Sequence, residues 1–299
     1  MLELLKKFFE KKPKIEKIDL TKRFDLIGPV GQGTMSKVWR ARDVMTGRVV
    51  ALKVLDKEKT AKLEQRFTGL KKPTEGEIAL GLDHRNIVHT IETGWTLNRE
   101  QFLVMEFVEG SGLSYYIDTQ DDVMRTHRLN FSIELGDALE YFHGKNWIHR
   151  DVCPRNVIIT PDHHVKLIDF GLVVPNLPEF KKPGNRTGTA NYMAPELIKR
   201  KPTDERIDIY SYAVSCYEMW TKRLPWPKKD SIDAAVQHIN SPPDPISDHV
   251  PDIDPEIAET IMKGLEREPD DRWRNAREMT NRFRAAAKRL DLAPVPPRT

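Results

Sequence analysis

Near residue 110 the hydrophobic period of this chain changes, and that change limits it to folds in which a strand-rich part precedes a helical one. From Phe24 to Glu106 the apolar residues come in short strand-like runs. Phe24-Asp25-Leu26 alternates, Val38 to Arg42 follows a glycine turn, Val49 to Leu55 is rich in β-branched residues, and Phe102 to Glu106 forms another run. Met45-Thr46-Gly47-Arg48 predicts a hairpin between two of them, and Glu75 to Leu82, introduced by Pro73-Thr74, predicts the one main helix of this part. Beyond residue 110 the spacing becomes three and four: Phe131, Leu135, Ala138 and Phe142, then Met279, Phe283, Ala286 and Leu290. Asp254-Pro255 predicts an N-cap with proline at the first helical position, and Ile257, Ile261 and Leu265 form that helix's inner stripe. Trp220, Trp226 and Trp273 fall among helical apolar positions and read as packing residues.

The 299 residues suffice for two modest lobes, each with its own core. A formal net charge of +3 spread over that length gives no field strong enough to imply nucleic acid. Two cysteines, Cys153 and Cys216, without zinc-ligand spacing, point to a reducing compartment, and the cytosol is the expected location. No apolar run approaches the roughly 20 residues of a membrane span, and the start lacks a secretory pattern. In residues 1–12, Leu2, Leu5, Phe8 and Phe9 fall opposite Lys6, Lys7, Lys11 and Lys12 on a helix. That arrangement suits contact with an acidic membrane surface, or a short terminal helix packed on the domain.

Three segments carry chemistry. Gly31-Gln32-Gly33-Thr34-Met35-Ser36-Lys37-Val38 lies between two predicted strands, where glycines let backbone N–H groups approach phosphate oxygens. No helix opens directly after it, which argues against a dinucleotide fingerprint. Lys53 follows in an otherwise apolar strand, so its ammonium requires an anionic partner, and the helix beginning at residue 75 offers Glu75 or Glu77. Asp151 and Asn156, five residues apart in a polar loop, precede Asp169-Phe170-Gly171 at a strand end, a set suited to a general base beside two magnesium ligands. His163 and His164 fall on a predicted turn after Pro161-Asp162 and are expected to be exposed.

In this order and spacing, from about Phe24 to Leu290, the motifs resemble those of a eukaryotic-type protein kinase, and the loops are most similar to bacterial serine/threonine members. The resemblance implies an α+β, bilobal fold, with a small β-rich N-lobe at 24–106, a hinge at 106–111 and a larger, mainly α-helical C-lobe at 112–290. Residues 1–23 are then an extension and residues 291–299 a Pro-rich tail. It implies ATP and Mg²⁺ as cofactors and Ser/Thr-bearing proteins as substrates. Gly31, Gln32, Gly33 and Ser36 would cover the phosphates. Lys53 would contact them while paired with Glu75, whose register the resemblance fixes. Val38, Ala51 and Met105 would enclose the adenine, and the backbone of Glu106 and Val108 would bond it. Asp151 would be the base, Asn156 and Asp169 the metal ligands, and Thr189 in Gly188-Thr189-Ala190-Asn191-Tyr192 would contact Asp151. Asp208 would anchor the Asp151 loop, and Arg272 would pair with Glu196.

Two departures stand out. Ser36 replaces the third glycine of the phosphate loop, and Cys153 occupies the position, two residues after the base, where serine/threonine kinases usually carry lysine. Arg155 is then the expected source of the missing charge. Cys153 itself reads as a space-filler, with a low-pKa redox role beside Arg150 as the alternative. Arg150 before the base, with Thr187 in the loop that follows Asp169, implies activation by autophosphorylation at Thr187. Two rival functions remain open: an ATP-binding pseudokinase scaffold, favoured by Cys153, and a small-molecule phosphotransferase, disfavoured by the Gly188 to Glu196 stretch.

Overall fold

In the computed structural model, residues 17–32, 36–182, 187–226 and 237–292 are described, and they form two compact units. The amphipathic residues 1–12, Gly33 and the Pro-rich end from residue 293 lie outside them.

The first unit is built on a six-stranded sheet of β1 (Lys17–Ile18), β2 (Phe24–Gln32), β3 (Ser36–Asp43), β4 (Val49–Leu55), β5 (Thr90–Thr96) and β6 (Gln101–Glu106), in the order β1-β5-β6-β4-β3-β2. Strand parity sorts its side chains. Val50 and Leu52 of β4, Phe102 and Val104 of β6, Ala41 of β3 and Phe24 of β2 make one apolar core. Ala51 and Lys53, opposite Met105 and Leu103 on one side and with Val38 facing Lys53 on the other, occupy the other face. Three short helices accompany the sheet: α1 (Leu20–Arg23), α2 (Lys57–Glu64) and α3 (Glu75–Leu80). Only the last was expected. Helix α2 buries none of its side chains and is held by Asp56, which caps the Glu58 and Lys59 amides, so it left no hydrophobic period to read.

The expected boundaries shift at the sheet edge and inside the expected N-lobe, where Gly69–Lys72 also falls to the second unit. Lys17 and Ile18, assigned to the extension, join the sheet edge in parallel with β5. Segment 82–88, assigned to the N-lobe, belongs to the second unit, because Val88 N donates to Leu167 O, Leu167 N to Asn86 O, and Asn86 Nδ2 to Val165 O.

In the second unit, β7 (Ser111–Gly112) and α4 (Leu113–Thr119) precede α5 (Asp122–Gly144), β8 (Trp147–Ile148), α6 (Pro195–Ile198), α7 (Arg206–Thr221), α8 (Pro255–Gly264) and α9 (Ala276–Arg289). Helix α7 carries apolar residues on every side and is buried from Ile207 to Tyr217, Asp208, Ser211 and Ser215 included. Against it lie α5, through Tyr212 Oη donating to Ser132 O at 2.6 Å, and α9, through Trp220 stacked on Phe283. Phe131, Leu135, Ala138 and Phe142 are fully buried, as are Met279, Phe283 and Ala286. Leu290 departs from its expected stripe: it follows the end of α9 and is 41 % exposed. Asp254 caps α8 by accepting from the Glu256 and Ile257 amides. No helix among the described residues is long and apolar enough to cross a membrane.

The expectation of two exposed histidines is corrected. Glu134 of α5 reaches the hairpin of β9 (Val157–Ile159) and β10 (Val165–Leu167), meeting His164 Nδ1 at 2.7 Å and accepting the Val165 amide at 2.7 Å, so His164 is buried. His163 is half-buried with its ring stacked on His127.

Candidate active site

In the first unit, Lys53 Nζ donates to Glu75 Oε1 at 2.5 Å, with both side chains buried. The choice between the two glutamates follows from the start of α3. Thr74 is the N-cap, and Glu77 is consumed by a capping box in which its carboxylate accepts the Thr74 amide while Thr74 Oγ1 accepts the Glu77 amide. One residue into the helix, Glu75 turns toward β4. At the end of β6 the Glu106 amide donates to His89 O, and its side chain accepts the His89 amide. Gly31 and Gln32 end β2 opposite Val38 and Lys37, and Ser36 opens β3.

The second unit assembles its polar set around Asp208, which lies on buried α7 with no exposure. Its carboxylate accepts the His149 amide at 2.7 Å and the Arg150 amide at 2.8 Å, and meets His143 Nε2 at 2.9 Å. Burial alone would raise this carboxyl's pKa. The His143 contact and the amide bonds outweigh it and hold the pKa below the usual carboxylate value. The anchored loop carries Arg150 through a left-handed turn, φ 69°, and delivers Asp151. The His149 ring, kept neutral by burial, packs against Phe142 and Phe170, which fixes the segment containing Asp169. Asn156 and Asp169 share one end of the β9–β10 hairpin: Val157 pairs with Leu167, and the Ile168 amide donates to Asn156 O at 2.8 Å.

Around Asp151, Thr189 donates both its amide and its hydroxyl to Oδ1, at 2.8 and 2.7 Å. Asn156 Nδ2 donates to Oδ2 at 2.9 Å and to Asp151 O at 2.8 Å. Among the described residues three of the carboxylate's roughly four acceptor positions are thus filled, which leaves one on Oδ2. Arg155, exposed, donates from Nη2 to Thr189 Oγ1 at 2.9 Å, so Thr189 joins the arginine to the aspartate. Gly188 makes this approach possible: its φ is +135°, and a Cβ there would sit 2.7 Å from Arg150 O. Cys153, 3.7 Å from Thr189 Oγ1, is 1 % exposed. Burial and the neighbouring Asp151 charge push its thiol up to about 11, which removes the basis for a low-pKa redox role.

Asn156 spends its N–H groups on Asp151, so its carbonyl oxygen is the atom left to meet a cation. Together with the Asp169 carboxylate this is a set of hard oxygen donors. Two residues do not make a protein cage, and no cluster of three or more His, Cys, Asp or Glu side chains suited to a metal occurs among the described residues. Such a donor pair fits Mg²⁺, which takes one or two protein oxygens and completes its shell with phosphates and water.

Beyond Asp151, Tyr192 Oη donates to Glu218 Oε2 at 2.5 Å, His238 Nδ1 meets Met193 O at 3.0 Å, and Arg272 makes a two-pronged pair with Glu196, both contacts at 2.7 Å. Sequence reasoning missed His143, Glu218 and His238. Glu218 did leave a trace, being the lone acid between residues 209 and 221 on a helix otherwise apolar all round. Neither histidine had one.

A lysine–glutamate pair buried in the first unit and, in the second, an anchored aspartate bonded to a threonine from the following segment with an asparagine and aspartate at one hairpin end are the residue types that phosphoryl transfer uses. The family model for the protein kinase domain matches residues 24–283, and the chain belongs to that family. It is 33 % identical over 282 residues to a probable serine/threonine-protein kinase of Streptomyces coelicolor, covering 91 % of this chain and 41 % of that protein. It is 32 % identical over 269 residues to the serine/threonine-protein kinase PknB of Mycolicibacterium smegmatis, covering 87 % and 42 %. Serine/threonine-protein kinase pkn3 of Myxococcus xanthus is 29 % identical over 279 residues, covering 89 % and 50 %. The chain thus spans two fifths to one half of the length of these curated relatives.

Proposed function

We propose that this chain is a serine/threonine protein kinase that transfers the γ-phosphoryl group of Mg-ATP to a Ser or Thr hydroxyl of another protein. The observation that carries this reading is the state of Asp151: held by Thr189 and Asn156, it keeps one acceptor position on Oδ2 for a hydroxyl proton. The hydroxyl oxygen, losing its proton to Asp151, bonds to the γ-phosphorus as the bond to the β-phosphate oxygen breaks and ADP departs with that electron pair.

Lys53, oriented by Glu75, would bind the α- and β-phosphates. Gly31, Gln32, Gly33 and Ser36 would cover the phosphates, Val38, Ala51 and Met105 would enclose the adenine, and the backbone of Glu106 and Val108 would bond its polar edge. Asn156 and Asp169 would hold Mg²⁺, and the chemistry it would supply there is neutralisation of phosphate charge. Arg155 stabilises the charge that Cys153, a neutral thiol, does not. Thr187, half-buried beside this segment, is the autophosphorylation site. Two free, buried thiols suit a reducing, ATP-containing compartment, the cytosol.

The test incubates the purified chain with radiolabelled ATP, Mg²⁺ and a generic protein acceptor, with Asp169→Ala as control. Label on protein, lost in the variant, supports the reading. ATP binding without transfer supports a pseudokinase instead, and label confined to small molecules supports a metabolite phosphotransferase. Peptide mass mapping after ATP incubation should find phosphate on Thr187; full activity with that loop unmodified would reject the autophosphorylation.

A further inference from the structure

We propose, resting on the kinase reading above, that the protein substrates carry acidic residues beside the acceptor hydroxyl and are recognised by a basic rim around the Thr189 segment. Six cations form that rim: Arg155, Lys181, Lys182, Lys199, Arg200 and Lys201. All but the half-buried Lys181 are exposed, and none forms an ion pair within 4.0 Å among the described residues. The chain as a whole has a formal net charge of only +3, so these six charges are a local concentration and not a share of a general excess.

The backbone brings them to one neighbourhood. The Thr203 amide donates to Lys181 O at 3.2 Å, joining the segment that follows Asp169 to the turn that follows α6. The Lys201 amide donates to Glu196 O at 2.9 Å, which ties Lys199, Arg200 and Lys201 to the end of the Gly188 to Glu196 stretch. At the other end of that stretch, Arg155 is bonded to Thr189, and Thr189 to Asp151.

Most acids in reach are already engaged. Glu196 is turned inward onto Arg272, Asp204 onto Arg206, Glu205 accepts Asn176 Nδ2, and Glu218 accepts Tyr192 Oη; Glu179 is the exposed acid on the same segment. Lys181 shares the field of Asp204, and the other five cations, without an ion-pair partner among the described residues, repel one another in the free protein; an acidic peptide laid across them relieves that cost. A peptide with lysines or arginines near its acceptor would add to the repulsion, so discrimination comes from both signs. The interaction is between exposed groups, and salt screens it.

Three peptides test this, alike except that the residues flanking one Ser or Thr acceptor are Glu, Gln or Lys. With Mg-ATP and the purified chain, kcat/KM should fall from Glu to Gln to Lys, with about tenfold or more between the extremes, at about two- to threefold per exposed charge pair. The double variant Lys199→Glu with Lys201→Glu avoids Arg200, whose φ is 56°, and should cut the Glu-to-Gln ratio severalfold without changing kcat/KM on the Gln peptide. The ratio should also shrink in 0.5 M salt, where the screening length is only about 4 Å. Equal rates on all three peptides, faster transfer to the Lys peptide, or an unchanged ratio in the double variant would overturn the inference while leaving the kinase reading intact. Absence of transfer to every peptide would overturn both.

Discussion

Arg155→Ala is the substitution that most sharply tests how this site manages without a lysine two residues after Asp151. It removes the hydrogen bond from Nη2 to Thr189 Oγ1 at 2.9 Å and the guanidinium charge that Thr189 couples to Asp151. A hydrogen bond to a charged group contributes about 1.5–3 kcal/mol, which in a barrier is roughly 10- to 150-fold in rate. Arg155 is exposed, so solvent screening places the expected loss in kcat at the lower end, about 10- to 30-fold. Lys53, Asn156 and Asp169 are untouched, so KM for ATP should stay within about threefold. Steady-state kinetics with a saturating peptide acceptor gives both numbers, and unfolding midpoints equal to the parent's establish that the variant is folded. Arg155→Lys should fall between the two, keeping the charge and losing the fork. Cys153→Lys added to Arg155→Ala should recover most of the loss, because position 153 also borders Thr189, with Sγ 3.7 Å from Oγ1. A kcat for Arg155→Ala within twofold of the parent would refute the reasoning.

Three further outcomes follow from buried groups. Arg272→Ala leaves Glu196 charged in a site 5 % exposed; breaking such a pair costs about 3–5 kcal/mol, and calorimetry should find the unfolding midpoint lower by roughly 10 °C. Cys153 and Cys216, buried and with thiols pushed up to about 11 and about 12, should resist iodoacetamide at pH 8 in the native protein and react only after denaturation, as read by intact mass. Because the Asp208 carboxyl has its pKa lowered by folding, its stabilisation is fully present above the unfolded carboxylate pKa near 3.9 and is lost as pH falls through the lower folded value. Denaturant unfolding at pH 3 to 6 should therefore show Asp208→Asn destabilised at pH 6 but with a shallower acid dependence than the parent.

Much of the architecture was legible because burial on α8 and α9 follows a single 3.6-residue stripe, α5 spaces Phe131, Leu135, Ala138 and Phe142 three and four apart, and four of the six strands left short apolar runs in the sequence. Elements held by polar contacts were not. Helix α2 hangs on the Asp56 cap, segment 82–88 joins the second unit through backbone bonds to β10, and His164 is drawn inward by a glutamate 30 residues away. None of these leaves a hydrophobic period in its own stretch of chain.

For the site, the sequence alone determined the chemical inventory: which residue types stand at Lys53, Asp151, Asn156 and Asp169, that Ser36 and Cys153 depart from the kinase pattern, and that an arginine lies four residues past the base. It did not settle Glu75 against Glu77 from the residues themselves. The tertiary structure decided that choice, because Thr74 takes Glu77 into a capping box and the remaining glutamate meets Lys53. It also decided what Cys153 and Arg155 are. A thiol's pKa depends on the solvent and charges around it, and an arginine's partner on where a segment 34 residues away is held. Both are set by packing on α7 and by the turn at Gly188, long-range contacts that no local pattern of residues encodes.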